Sequence, residues 1–459
     1  MNFKIDNSNK IYDKASKIIP AGSQTFSKGV TQFVKGVAPK YLKSGSGAWV
    51  VDADDNKFLD CIMGCHPLVL GYSDKDVNDA VIEQLHKGST FSLMNELEVE
   101  VSQLIIDTIP SAEMVRFGKN GADATSVGIK IARAITGKDH VAYCGYHGWH
   151  DWFISDTDLN KGIPSFNKKL SHSFIYNDLS SLEKIFEEYK DQVAIVIMEP
   201  LTAFEPKCYK NFSCKDTLCK NICKNNFLTE VQKIAKHNNA LLMFDEIITG
   251  YRFAVGGAQE LVGVTPDLTS IAKAMSNGIP ISAIVGKKEY MQCLDEVFFS
   301  FTYGGDCVGL SASKAAINKI KKNNVPKFLH DKGKVLKEKL NKYLNDLDLL
   351  DFFECIGYPQ RSLIKIDGRN IYNNLELKTY IQQELLYNGI LWAGYHAHSF
   401  KHDEYEIEFL LNGYYKVFEK FKNIHKNSLD IKSKINGEIL KPVFRKVADF
   451  NSYINKSKT

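Results

Sequence analysis

The sequence predicts an α/β protein, with a large domain on a mostly parallel sheet and a smaller α+β domain. Three observations carry that prediction. Compact β-rich runs recur at 141–144 (Val-Ala-Tyr-Cys), 193–198 (Val-Ala-Ile-Val-Ile-Met), 240–244 (Ala-Leu-Leu-Met-Phe) and 281–285 (Ile-Ser-Ala-Ile-Val), and such runs suit strands buried on both faces. Helical patterns separate them. No internal repeat or low-complexity linker breaks the alternation, which runs from about residue 95 to 325.

The elements follow in order. Residues 1–75 form an N-terminal arm and part of the small domain. Within it Ala48-Trp49-Val50-Val51, the turn formers Asp54-Asp55-Asn56 and the return Lys57-Phe58-Leu59 predict a hairpin. Residues 76–325 form the large domain. Its helix at 120–136 sets Val127, Ile131 and Ile135 at i, i+4 and i+8 with small Ala124, Gly128 and Ala132 beside them, a pattern that packs closely. Residues 326–459 are lysine-rich with mixed helix and strand signals and form the C-terminal part of the small domain, fraying only at the polar end.

At 459 residues, 44% hydrophobic, 11% aromatic and 24% charged, the chain has a globular composition and enough length for more than one domain. Fibrous, collagenous and disordered classes are excluded. A net charge of +4 is spread thinly, without the basic field that nucleic-acid binding needs. The opening Met-Asn-Phe-Lys-Ile-Asp has no apolar signal core, and no apolar run approaches membrane-spanning length. A cytoplasmic protein is expected, with neither nucleic acid nor membrane as partner.

Five elements could carry chemistry, and each has a bland rival. Asp245-Glu246 follow the run 240–244, and ligands bind at the carboxyl ends of parallel strands, although an Asp there also caps helices. Lys273 lies among small and apolar residues, Ser270-Ile271-Ala272 before it and Ala274-Met275-Ser276-Asn277-Gly278 after it. A desolvated lysine forms Schiff bases; a lone lysine also snorkels to the surface. Asn120 and Asp123 resemble a capping box that leaves the Gly121 and Ala122 amides open to an anion, or they form an ordinary capped helix. The aromatics between glycines in Tyr143–Trp152 offer a face for a flat heterocycle. His147, His150 and Asp151 there also invite a metal reading, but no third ligand spacing supports it, and no metal is expected. Phe301-Thr302-Tyr303-Gly304-Gly305-Asp306 reads as a second anion contact, or as a loop with Asp306 as N-cap. Together these elements make one demand, that of pyridoxal phosphate: an acidic partner for the pyridine nitrogen, a lysine for the aldehyde and a helix N-terminus for the phosphate.

The ordered series Asn120-Gly121-Ala122-Asp123-Ala124, Tyr146-His147-Gly148, Glu199-Pro200, Phe244-Asp245-Glu246-Ile247-Ile248-Thr249-Gly250-Tyr251-Arg252, Lys273 and Thr302-Tyr303-Gly304-Gly305 resembles the class III pyridoxal phosphate aminotransferases. The likeness is to the branch around glutamate-1-semialdehyde 2,1-aminomutase and runs from about Ala21 to Arg445. It implies fold type I, with the small α+β domain built from both chain ends, with Lys273 forming the Schiff base and later acting as general base, and with Asp245 keeping the pyridine nitrogen protonated. It implies further that Tyr146 stacks on the ring, that Gly121 and Ala122 bind the phosphate, and that His147 and Glu199 lie at the cofactor. Thr302 would reach the phosphate of a neighbouring subunit, so the resemblance also implies a homodimer.

The departures concern substrate. Asn-Gly-Ala-Asp-Ala stands where aminomutases carry a Ser-Gly-Thr-Glu-Ala type loop, and Ser23–Lys28 where they carry an arginine for the substrate carboxylate. Lys28 can pair a carboxylate without the arginine fork, and Trp149 is the second candidate substrate contact. The stretches Gly145–Trp152 and Ser23–Gly29 resemble aminomutase-like aminotransferases associated with cell-surface sugar pathways. The expected activity is amino transfer from a donor, glutamate, to an aldehyde or ketone, with internal transfer by a 2,1-aminomutase as the alternative. A non-catalytic cofactor- or metal-binding regulator is opposed by the presence of both Lys273 and Asp245. Trp392–Ser399 is a candidate for part of the substrate wall, against an ordinary loop.

Ten cysteines are scattered along the chain, so free thiols are expected. Cys208, Cys214, Cys219 and Cys223 cluster among lysines at spacings that match neither zinc ribbons nor iron–sulfur runs. A solvated surface insertion is the reading set ahead of a metal site.

Overall fold

A computed structural model describes residues 3–208 and 226–441. Two compact units divide it: one drawn from the residues up to Asp74 and those from Lys327 onward, the other Lys75–Pro326.

In the first unit β1 (Leu42–Ser46), β2 (Trp49–Asp52) and β3 (Lys57–Asp60) run antiparallel. The expected hairpin is β2–β3. Asp52 closes its turn, with Oδ1 accepting from the amides of Asp54 (2.9 Å) and Asn56 (2.8 Å).

The second unit holds β4 (Met114–Gly118), β5 (His140–Cys144), β6 (Ser171–Ser173), β7 (Val193–Met198), β8 (Leu241–Glu246), β9 (Leu268–Ile271) and β10 (Ser282–Gly286). They form one sheet in the order β4-β10-β9-β8-β7-β5-β6. From β9 through β6 every pair is parallel, and β7 and β8 are buried along their whole length, as the unbroken apolar runs require. The run at 281–285 differs: β10 is antiparallel to both its neighbours. The connection from β9, residues 272–281, holds only the turn Lys273–Ser276, whereas a parallel return needs a crossover of a dozen or more residues, usually with a helix.

The predicted helix spans Gly121–Thr136 and ends on Gly137, whose φ of 67° supplies the left-handed cap. It crosses β8 at Gly128, where a Cβ would stand 2.4 Å from Met243 Sδ, so only glycine permits the approach. Val127 and Ile131 are buried as expected. Ile135 is not: it is 41% exposed, in the last turn before the Gly137 cap.

Back in the first unit, β11 (Phe353–Tyr358) and β12 (Arg361–Ile366) pair, β13 (Ile390–Leu391) adds in parallel to β3, and β14 (Tyr395–His396) pairs with β12. The sheet of the N-terminal arm is thus completed by a strand from the other chain end. The helices Asn374–Tyr387 and Glu404–Lys426 cover a core of Trp392, Phe353, Tyr414, Phe418 and Phe421. Trp392–Ser399 therefore departs from the expected substrate wall: Trp392, His396, Ala397, His398 and Ser399 are buried in this unit. The polar members are held by hydrogen bonds, His396 to Ser362 and Tyr414, and Ser399 to His402. Among the described residues no helix is long and apolar enough to cross a membrane.

Candidate active site

The site of the second unit is built at the carboxyl end of β8. Asp245 and Glu246 are the last residues of that strand, so their side chains take opposite faces. Asp245 is buried, and its Oδ2 lies 2.7 Å from His147 Nδ1. Its Oδ1 accepts from Ile247 N (3.1 Å) and Ser270 Oγ (3.3 Å). Three donors on a carboxylate with about four lone-pair sites leave one acceptor site, the number a pyridinium N–H requires. This is how the residues present fit the cofactor's ring nitrogen.

His147 stands behind Asp245 as its hydrogen-bond donor. Its ring is buried against Trp152 (centroids 6.1 Å apart, 16° between planes) and edge-on to Phe153, and Thr125 Oγ1 donates to its carbonyl at 2.7 Å. Tyr146, half-buried beside it, packs edge-on to Phe153. Glu199 Oε1 accepts from the Tyr146 amide at 3.0 Å, so the carboxylate fixes the main chain that carries the aromatic face.

Strand register brings the lysine to the same end. Asp245 pairs with Ser270 and Glu246 with Ile271, and Lys273 follows two residues later, opening the 3₁₀ turn Lys273–Ser276. Lys273 holds φ at +47°, a strained value for a side-chain-bearing residue, and is half-buried between buried Ala272 and Ala274.

The helix start completes the arrangement. Asp123 Oδ2 accepts from Asn120 N (2.7 Å) and Lys119 N (3.0 Å), while the Gly121 and Ala122 amides precede the first intrahelical acceptor. A Cβ on Gly121 would meet Ile247 Cδ1 at 3.1 Å, which sets this helix start against the residue two past Asp245. Gly148 is held as closely: its Cβ would stand 2.7 Å from that of Ala122.

Thr302 is exposed, in a loop with exposed Phe301 and Tyr303, and Asp306 is the N-cap of the helix Cys307–Lys322, accepting from Gly309 N at 2.9 Å. Trp149 is 67% exposed. Lys28 belongs to the first unit, at a mostly apolar cavity of about 280 Å³ lined by Val30, Phe33, Val34, Ile62 and Leu391. The same cavity is lined by Asp60, whose carboxyl is raised by burial and lowered again by Tyr72, backbone amides and the charge of Lys28.

No group of three or more His, Cys, Asp or Glu side chains among the described residues is placed to hold a metal. His147 is engaged with Asp245 and His150 with Ser126. Cys208 pairs through its main chain with Asn226. Cys214, Cys219 and Cys223 lie outside the described residues.

Sequence reasoning missed the parts played by Ser270, Thr125 and Ser126. The two helix hydroxyls had a signal, since Thr125 and Ser126 interrupt the small and apolar face that Ala124 and Val127 define.

This fold and this set of donors define a class, the pyridoxal phosphate enzymes of fold type I. A family model, Aminotransferase class-III, matches residues 34–351, and the chain belongs to that family. It is 33% identical over 395 residues to the 3-aminobutyryl-CoA aminotransferase of Cloacimonas acidaminovorans, covering 86% of this chain and 91% of that protein. To the glutamate-1-semialdehyde 2,1-aminomutase of Methanobrevibacter smithii it is 34% identical over 351 residues, 74% of this chain and 78% of the other. Among solved structures, an omega-transaminase from Sphaerobacter thermophilus superposes with a TM-score of 0.78 at 24% identity, over 90% of this chain and 97% of that one. The chain is thus an enzyme whose cofactor is pyridoxal phosphate.

Proposed function

We propose that the protein is a cytoplasmic aminotransferase that moves an amino group from glutamate to the carbonyl of an aldehyde or ketone, a sugar carbonyl included. The observation that carries this reading is the single open acceptor site on Asp245, at the end of β8 and beside the end of β9 from which Lys273 follows. Bound there, pyridoxal phosphate supplies an electron sink for the charge left on a deprotonated substrate carbon. Asp245 accepts the ring N–H and keeps that nitrogen cationic, with His147 fixing the carboxylate from behind. Gly121 and Ala122 hold the phosphate, Tyr146 offers its aromatic face, and Glu199 sets that face through the main chain. Lys273 binds the cofactor at rest and, once released, takes and returns the proton at the substrate carbon. Lys28 pairs the substrate carboxylate, with Trp149 as a further substrate contact.

A homodimer follows from the same reading, with Thr302 serving the partner's phosphate. Its support is the exposure of several large apolar side chains on the second unit, Leu93 (80%), Met94 (85%), Val99 (72%) and Phe298 (77%), which a subunit interface would cover.

The test is the visible spectrum of the purified enzyme before and after L-glutamate, with 2-oxoglutarate assayed in the same tube. The cofactor band is expected to bleach as 2-oxoglutarate appears. Lys273→Ala is expected to cut turnover by about a thousandfold or more; a variant with full turnover overturns the reading. The aminomutase relatives favour a second reading, internal transfer, and a band that glutamate leaves unchanged would put that reading, or an aminotransferase with another donor, ahead.

A further inference from the structure

The cavity at Lys28 bears on which carbonyl compound the enzyme accepts. It lies wholly within the first unit and measures about 280 Å³. Its lining is exposed at Ser27 and Lys28 and buried at Val34, Ile62 and Leu391, so one side is wet and the other dry. Val30 and Phe33 add to the apolar wall.

Polar side chains along that wall are engaged with the protein itself. Tyr72 donates to Asp60 Oδ2 (2.6 Å), and Asp60 Oδ1 accepts from Ile62 N (2.7 Å). Lys35 pairs with Glu438 at 2.6 Å, and Lys40 donates to the Asn9 side chain. The Lys28 ammonium has neither a hydrogen bond nor a salt bridge among the described residues. A ligand hydroxyl carried to the dry side would lose its water without gaining a partner, whereas a methylene only gains.

Magnitudes decide which feature selects the ligand. An ion pair as exposed as one on Lys28 strengthens binding by at most about fivefold. Each methylene moved from water into the cavity adds about threefold to fourfold. Two methylenes outweigh the lysine, so the charge orients and the wall discriminates. A dry cavity of about 150 Å³ holds benzene, and this one is larger by a factor of about two, which suits a chain or ring of about six to eight carbons.

We infer that the amino acceptor is an oxo monocarboxylic acid with a hydrocarbon side chain: its carboxylate pairs with Lys28 at the wet side and its side chain fills the cavity. Glutamate loses its amino group to become 2-oxoglutarate, and the oxo acid gains that group in exchange for its carbonyl oxygen, so no outside oxidant or reductant is needed. This rests on the assignment of Lys28 to the substrate, and it narrows that reading away from sugar carbonyls.

Two series on the full-length holoenzyme test it. Saturated carboxylates from butyrate to octanoate, which cannot react, are titrated by calorimetry, and affinity is expected to rise about threefold per methylene, about eightyfold in all. Straight-chain 2-oxo acids of the same lengths then serve as acceptors from glutamate. Their kcat/KM is expected to climb by a similar factor, with hydroxylated 2-oxogluconate at least about tenfold below 2-oxohexanoate. Val30→Trp fills the cavity and is expected to cut the ratio of eight-carbon to four-carbon kcat/KM at least about tenfold, a ratio that a general loss of folded enzyme does not move. A flat series overturns the inference, and so does a length preference that Val30→Trp leaves intact. If glutamate converts the cofactor band and hydroxylated acceptors win, the aminotransferase reading stands and the inference alone falls. If glutamate leaves the band unchanged, the donor assignment falls, and the calorimetric series on native protein and Val30→Trp still upholds or overturns the hydrocarbon ligand.

Discussion

Asp245 and Glu246 are adjacent carboxylates, both buried, on opposite faces of one strand end. Glu246 accepts from Thr249 Oγ1 (2.8 Å), Ala258 N, Gln259 N (3.0 Å) and Gln259 Nε2 (3.1 Å). Four donors meet about four lone-pair sites, and nothing is left over. Asp245 accepts from three, and one site stays open. Burial pushes the Glu246 carboxyl up and its four donors pull it back. Glu246 instead organises its own surroundings: a Cβ on Gly257 would stand 2.4 Å from Glu246 Oε2, so the 257–259 turn folds directly onto the carboxylate. The pair teaches that burial and charge do not separate a ligand-binding carboxylate from a structural one. The unspent acceptor does.

The largest effect is expected at the open site. Asp245→Asn can keep its protein partners, because Oδ1 still accepts from Ile247 and Ser270 while the new amide donates to His147. His147 must then carry its proton on Nε2, which is buried and has no hydrogen-bond partner, so one N–H is left unsatisfied. What the amide cannot do is hold a ring nitrogen cationic. Turnover should fall about a thousandfold while stability falls by about 2 kcal/mol. A variant that melts early and keeps its turnover would erase the distinction between the two residues.

A buried group with hydroxyl partners sharpens the contrast. His396 lies in the first unit between Ser362 Oγ (2.9 Å) and Tyr414 OH (2.7 Å), and burial drops its pKa from 6.5 to about 3. Where His147 has a carboxylate to support, His396 has only neutral partners and stays neutral. The folded value lies below the unfolded one, so this contribution is fully present above pH 6.5 and is lost as the pH falls toward 3. By pH 4 the loss should reach about 3 kcal/mol. Denaturant unfolding between pH 7 and pH 4 measures it, and His396→Gln should flatten the acid slope. An unchanged slope would assign the acid sensitivity elsewhere.

The sequence exposed the sites that depend on local order and hid those that depend on spatial company. Buried strands declare themselves by unbroken apolar runs, and the start of the Gly121–Thr136 helix by Asn120 and Asp123, so β5, β7, β8 and the candidate anion site were legible. The direction of β10 was hidden because it depends on the length of the turn before it. Ile135 carried the right period but is exposed in the last helical turn, and periodicity says nothing of how far along a helix its packing partner extends. Trp392–Ser399 looked like a loop with functional aromatics because hydrogen-bonded histidines inside a core carry no marking that separates them from histidines at a surface. Lys273 and Asp245 were found through their positions in an ordered series. No feature of the sequence separates Asp245 from Glu246 by the number of donors each one meets.

That difference yields the smallest of the expected effects and the most direct check on the comparison. Glu246→Gln preserves shape and replaces one acceptor oxygen by an amide that can only donate. Two of the four donors then face an N–H₂ group in a closed site, with no water to satisfy them. Thr249 can rotate its hydroxyl to accept, but the backbone amide of Ala258 cannot, so about one unsatisfied donor remains, worth about 2 kcal/mol of stability. Turnover per folded molecule should stay within a fewfold of native, because Glu246 faces away from the open site on Asp245. Unfolding by denaturant and turnover at saturating cofactor separate the two readouts. A Glu246→Gln enzyme that stayed fully stable but lost its turnover would show that the saturated carboxylate also acts on the chemistry, and the division between the two faces of the strand would have to be redrawn.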